Sequence, residues 1–160
     1  MKKQIIKSEL FEYNFPAELD QNHQQLIKEA KEAAEKAYAP YSRFKVGAAV
    51  LLDNGKIIQG NNQENAAYPS GLCAERVAIF YANSEFPNES IAAIAITAIN
   101  ESGFVKQPIP PCGSCLQVML ESERRYKKPI KVILYGSEKI TLAESIKQFL
   151  PVNFNKDMLK

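Results

Sequence analysis

Lys45-Val46-Gly47-Ala48-Ala49-Val50-Leu51-Leu52, followed by Asp53-Asn54-Gly55 and then Lys56-Ile57-Ile58-Gln59-Gly60, is the stretch from which a fold can be read. Two apolar runs around Asn-Gly predict a β-hairpin, because Asn and Gly accept the positive φ that a tight turn requires. Gly47, Ala48 and Ala49 leave little side chain on the first strand, so another element is expected to pack closely against it.

On the N-terminal side, Leu26, Ile27, Ala30, Ala33, Ala34 and Ala37 recur at helical spacing with Lys and Glu between them, which predicts a helix over 17–38. Pro40 stops it and biases Ala39 toward extended geometry. Residues 1–16 lack periodicity and read as an N-terminal extension of unknown role with at most one short strand. On the C-terminal side, Pro69-Ser70-Gly71 is a turn, and a helix is expected over 73–86. The charge-free Ile and Ala run over 91–99 reads as a buried central strand. A loop follows over 100–111, then a helix entered through Pro111 over 112–122, and a strand over 129–135. A short helix is expected over 142–150, opened by Thr141 with Glu144 three residues on as a capping box and closed by Pro151. Helices alternating with strands predict one α/β domain over 1–160. The expected form is a three-layer α/β/α sandwich around a mixed five-stranded sheet, in which an antiparallel hairpin joins parallel later strands.

Composition narrows the function. Of 160 residues, 46% are hydrophobic and 24% charged, a globular balance. The net charge of +2 supplies no field to draw nucleic acid or an anionic membrane. The basic start Met1-Lys2-Lys3 is followed by Lys7, Glu9 and Glu12 rather than an apolar run, so a targeting signal is not expected and the cytoplasm is. Three cysteines argue against a disulfide framework. The single histidine, His23, lies in a polar stretch and is expected at the solvated surface, which removes the base that Ser-His-Asp and Cys-His machinery need.

Chemistry gathers in Cys73-Ala74-Glu75-Arg76 and Pro111-Cys112-Gly113-Ser114-Cys115, which contain every cysteine of the chain. Cys112 and Cys115 are spaced so that both sulfurs share one side of a first helical turn. Cys73 begins another helix, and helix N-termini favour thiolates. A Cys-x-x-Cys pair alone admits a redox couple, a structural zinc or coincidence. Three cysteines at two helix starts, with an acid beside one of them, point to one Zn²⁺ bound by Cys73, Cys112 and Cys115. Three protein ligands leave a position for water, the mark of a catalytic site. Three thiolates make the site anionic, and Arg76 is placed to offset this by donating to ligand sulfur. Glu75 is placed to move protons beside the water without ligating. Tyr41 and Phe44 read equally well as core aromatics, and the polar run 61–65 equally well as a solvated loop.

Together these segments resemble the cytidine deaminase family, in its three-cysteine form. The likeness extends collinearly from about residue 30 to 159. Tyr38 to Ala49 is similar to the family's opening segment, Gly60 to Pro69 to its ribose-binding segment, and Phe149 to Phe154 to its C-terminal end. The resemblance implies the family's fold, and hydrolytic deamination of cytidine and deoxycytidine to uridine, deoxyuridine and ammonia, a step of pyrimidine salvage. It also implies that Glu75 is the proton shuttle, that Asn62 and Glu64 hydrogen-bond the ribose, and that Phe44 stacks on the pyrimidine. The Ala74 backbone would contact the base, and Tyr68 and Phe154 would close the pocket. The partner it implies is a small nucleoside, with a homotetramer sharing its active sites. Leu116 departs from the family, which often carries a basic residue there, and the 100–110 loop is longer than usual. Rival scaffolds are nucleoside antibiotics of the blasticidin type and polynucleotides. The Asn62 and Glu64 pair favours a free ribose over both.

Overall fold

The structure, a computed structural model, describes residues 1–159. Its centre is the strand β4 (Ile91–Asn100), flanked on one side by the hairpin β2 (Lys45–Leu52) and β3 (Ile57–Asn61). The hairpin turns where Asn-Gly predicts. Gly55 takes φ +83° and donates its N–H to the Leu52 carbonyl at 2.9 Å, while the Asn54 Oδ1 accepts from the Lys56 N–H at 3.0 Å. On its other side β4 pairs in parallel with β6 (Lys131–Tyr135). A parallel pair requires a crossover, and α3 (Gly113–Tyr126) supplies it.

Alternation along β4 divides the core between two faces. Ala93 and Ala95 meet Leu26, Ile27 and Ala30 of α1 (Gln21–Glu35). Ile94 and Ile96 meet Ala78 and Ile79 of α2 (Ala74–Glu85) and Met119 and Leu120 of α3. The three layers are therefore those expected. The close approach predicted for the first strand is real: a Cβ on Gly47 would overlap the Ala30 carbonyl and the backbone of Ala34. α1 is shorter than its apolar pattern, because Asp20 caps it by accepting the His23 N–H at 2.9 Å.

The sheet has seven strands, not five. The expected loop 100–111 contains β5 (Gly103–Phe104), which folds back on the end of β4. The helix expected over 142–150 is absent. Instead β7 (Ile140–Ala143) pairs antiparallel with β6, and all four of its residues are buried. The capping box at Thr141 and Glu144 is not formed; Ser145 caps a three-residue 3-10 turn, Ile146–Gln148, by accepting the Lys147 N–H. Edge pairing against β6 buries Ile140 and Leu142 on the α1 face, a gain no isolated short helix offers. Of the later strands, only β4 and β6 are parallel. Within the extension, β1 (Phe11–Tyr13) covers the outer edge of β7, which shields unpaired backbone groups.

Two buried polar residues complete the frame. His23 is 9% exposed, against the expectation of a solvated residue. It sits in the first turn of α1, with Nδ1 2.8 Å from Asp20 Oδ2, and burial lowers its pKa more than Asp20 raises it. Glu123, 6% exposed, accepts the N–H groups of Ile130 at 2.8 Å and Ile146 at 3.0 Å and the Ser145 hydroxyl at 3.1 Å. It ties the end of α3 to the start of β6 and to the 3-10 turn.

Candidate active site

Cys73 is the N-cap of α2 and Cys112 the N-cap of α3, and neither side chain is used for capping. Both thiols are therefore left at helix starts, where free N–H groups concentrate positive potential. Cys115, one turn into α3, is buried. The three sulfurs lie within 4.8 Å of one another, with Cys73 to Cys112 at 3.9 Å and Cys112 to Cys115 at 3.4 Å. Tetrahedral Zn–S bonds of 2.3 Å separate sulfurs by about 3.8 Å, so the donor set fits zinc.

Arg76 Nη2 lies 3.6 Å from Cys73 Sγ, and its Nε is buried without a partner among the described residues. Among the thiols themselves, Cys73 is pushed down to about 5, first because Cys115 donates to its thiolate and then through Arg76 and Cys112. Cys115 is pushed up, because it donates to Cys73 and is buried. The Arg76 guanidinium is held more firmly protonated by the same Cys73 sulfur. Glu75, 5% exposed, has its carboxyl raised above the ordinary range, chiefly by burial.

Cys73, Cys112, Glu75 and Arg76 line a cavity of about 400 Å³ together with Asn62, Glu64 and Tyr68, while Cys115 lies buried behind it, outside the lining. Asn62 and Glu64 are more than a polar patch. Asn62 Oδ1 accepts the Val46 N–H at 2.7 Å while its Nδ2 donates to the Phe44 carbonyl at 3.0 Å. Glu64 accepts the N–H groups of Tyr41 at 2.9 Å and Ser42 at 3.2 Å, and the Ser42 hydroxyl. Those bonds hold the Glu64 carboxyl below its usual range, the Ser42 hydroxyl first. The two side chains fasten segment 41–46 to the wall of the cavity.

A family model described as the cytidine and deoxycytidylate deaminase zinc-binding region matches residues 20–130. The chain belongs to this deaminase family. The deaminase is 52% identical over 100 residues to a cytidine deaminase of Halalkalibacterium halodurans, covering 62% of this chain and 71% of that one. A crystal structure of cytidine deaminase from Burkholderia pseudomallei, 41% identical, superposes with a TM-score of 0.71 over 82% of this chain and 98% of that chain. The cytidine deaminase of Mycobacterium tuberculosis, 29% identical, gives 0.66 over 85% and 99%.

Other expected site residues of the deaminase lie apart from the cavity lining. Phe44 is half-buried and Ala74 fully buried, and neither is among the lining residues. Phe154 is 57% exposed; its carbonyl accepts from Gln117 Nε2 of α3 at 3.0 Å, and it too is absent from the lining. Tyr41, Leu72, Ile109 and Pro110 line the cavity without having been singled out for it. Leu72 and Pro110 were within reach of sequence reasoning, because each flanks a cysteine motif. Ile109 and Tyr41 carry no such signal.

Proposed function

We propose that this deaminase hydrolyses cytidine and deoxycytidine to the corresponding uridines, releasing ammonia, as a step of pyrimidine salvage. The observation that carries this is the meeting of three thiols, two of which, Cys73 and Cys112, line one cavity with the buried Glu75 carboxylate. Cys73, Cys112 and Cys115 would hold zinc. Zinc bound there supplies the Lewis acidity that lets a water give up its proton near neutral pH.

Glu75 then has a double task. Its carboxylate takes the proton from water and delivers it to ring N3, and later helps protonate the departing amino group. A carboxyl raised by burial suits a group that must hold a proton between steps. Arg76 offsets the anionic sulfurs through Cys73. Asn62 and Glu64 orient the ribose: each still has unused hydrogen-bonding capacity beyond its bonds to segment 41–46, and an analogue lacking the hydroxyl would leave them unpaired. By resemblance, Phe44 stacks on the base, the Ala74 backbone reads its edge, and Tyr68 and Phe154 close the pocket.

Phe154 is exposed and outside the lining of its own chain's cavity, and by resemblance a neighbouring subunit's copy closes the pocket in a homotetramer that shares its sites. Tyr68, Phe80, Tyr81 and Phe154, each 47% exposed or more, supply apolar surface for such contacts. We place the enzyme in the cytoplasm; no helix among the described residues is long and apolar enough to cross a membrane.

The test is the loss of absorbance in the cytidine band, compared across cytidine, deoxycytidine, deoxycytidine monophosphate and a short single-stranded oligonucleotide, with zinc quantified on the same sample. Turnover of the oligonucleotide alone would refute the proposal. Glu75→Ala is expected to keep zinc and lose several orders of magnitude in kcat. Full turnover by that variant would remove Glu75 from the mechanism.

A further inference from the structure

Far from the cysteine cluster, at the other end of α3, lies a second cavity of about 600 Å³. The 14-residue helix separates the two by roughly 20 Å. Arg124, Lys127, Lys128, Lys147 and Lys156 line this cavity. They come from three separate stretches of chain: the end of α3 with the linker that follows it, the 3-10 turn after β7 and the 3-10 turn Lys156–Leu159. The fold has therefore gathered them from distant positions.

Existing counter-charges account for only part of this cluster. Lys128 pairs with Asp53, and Arg124 Nη1 lies 3.3 Å from Asp157. Glu123, the one acid lining the cavity among the described residues, is occupied by two backbone N–H groups and the Ser145 hydroxyl. Among the described residues, the side chains of Lys127, Lys147 and Lys156 have no ion-pair or hydrogen-bond partner, and Arg124 Nε is buried with none. The carbonyl end of α3 attracts cations, but that field fades within a turn and explains one or two of them, not five.

We propose that this cavity binds an oligophosphate, recognised by its chain of phosphates. Several lysine point charges around a concave space suit successive phosphate groups. No aromatic side chain among the described residues lines the cavity, so they offer no platform for stacked bases. The ligand is accordingly a free oligophosphate, whether inorganic or the triphosphate of a nucleotide, rather than a nucleic acid strand. The site is independent of the deaminase reaction.

Calorimetric titration of the zinc-loaded full chain at low salt tests this with inorganic triphosphate, ATP, adenosine, inorganic phosphate and an oligothymidylate of matched phosphate content. Triphosphate and ATP should bind with similar affinity and inorganic phosphate far more weakly, while adenosine should not bind. The triple variant Lys127→Ala, Lys147→Ala, Lys156→Ala should weaken triphosphate binding by roughly fivefold or more per lysine. It should leave the ligand-free melting temperature and cytidine turnover unchanged, and Lys147→Ala alone should show a smaller loss of the same kind. Three results would overturn the proposal: no binding of triphosphate, binding that the variants do not weaken, or tighter binding of the oligothymidylate than of triphosphate.

Discussion

Gly60→Ala probes the link between the sheet and the chemistry. Gly60 is in β3, directly under the first turn of α2. A Cβ there would lie 2.5 Å from the Ala74 carbonyl oxygen, 2.5 Å from the Ala78 nitrogen and 2.8 Å from the Ala78 Cβ. Two of these are backbone atoms, which no rotamer change can move away. Ordinary contact begins at 3.4 Å, so α2 must retreat by about 1 Å, and a packed interior resists such a shift. Overpacking of this kind costs about 1–3 kcal/mol. At about 2–4 °C per kcal/mol for a chain of this size, the melting temperature should fall by roughly 3–10 °C. The larger effect should be on catalysis, because Ala74 lies between Cys73 and Glu75. A displacement of about 1 Å in catalytic groups can remove on the order of 10²-fold in rate. Gly47→Ala is the control: its Cβ meets α1 on the opposite face of the sheet, so it should lose stability while sparing kcat per zinc-loaded molecule. Calorimetry, metal analysis and cytidine turnover on both variants decide the matter. A Gly60→Ala enzyme with wild-type kcat, or a Gly47→Ala enzyme equally impaired per folded molecule, would refute the reasoning.

Three further outcomes are expected. Cys112→Ala should lose zinc, since two thiols cannot replace the three-sulfur cluster, and its melting temperature should no longer respond to a chelator. Glu123→Ala should lose about 2–4 kcal/mol in denaturant unfolding with zinc content unchanged, because it leaves two buried N–H groups without an acceptor. His23, lowered from its ordinary value of 6.5 by burial, binds its proton more readily in the unfolded chain. Its contribution to stability should be complete above pH 6.5 and lost as pH falls through its lower native value; in His23→Gln the urea midpoint should vary less over that range.

Local signals made much of this protein readable. Asn54-Gly55 carries its own turn geometry, Ile91 to Ile99 has no charge to place in solvent, and the cysteine motifs sit at helix starts whose dipoles favour thiolate. The three-cysteine cluster, its neighbour Glu75 and the hairpin beneath them follow from features a few residues long. The helix expected over 142–150 gives way to β7 for the opposite reason. Thr141 and Glu144 have the spacing of a helix cap, but pairing with β6 outweighs it, and strand pairing depends on a partner distant in sequence.

The same non-local physics governs the other differences. Residues 11–13 become a strand only because β7 offers an edge. His23 is polar in sequence context yet buried, because the first turn of α1 lies against the fold. Asn62 and Glu64 stand out in the sequence only as part of a polar run, and their grip on segment 41–46 depends on the tertiary approach of a loop roughly twenty residues earlier in the chain. The basic cavity at the far end of α3 is invisible in a nearly neutral composition, since its charges are scattered along the chain. The sequence alone determined which three cysteines come together, because residue type and helix-start spacing are local properties. The tertiary structure decided what surrounds them, because burial and distant charge exist only once the chain has folded back on itself.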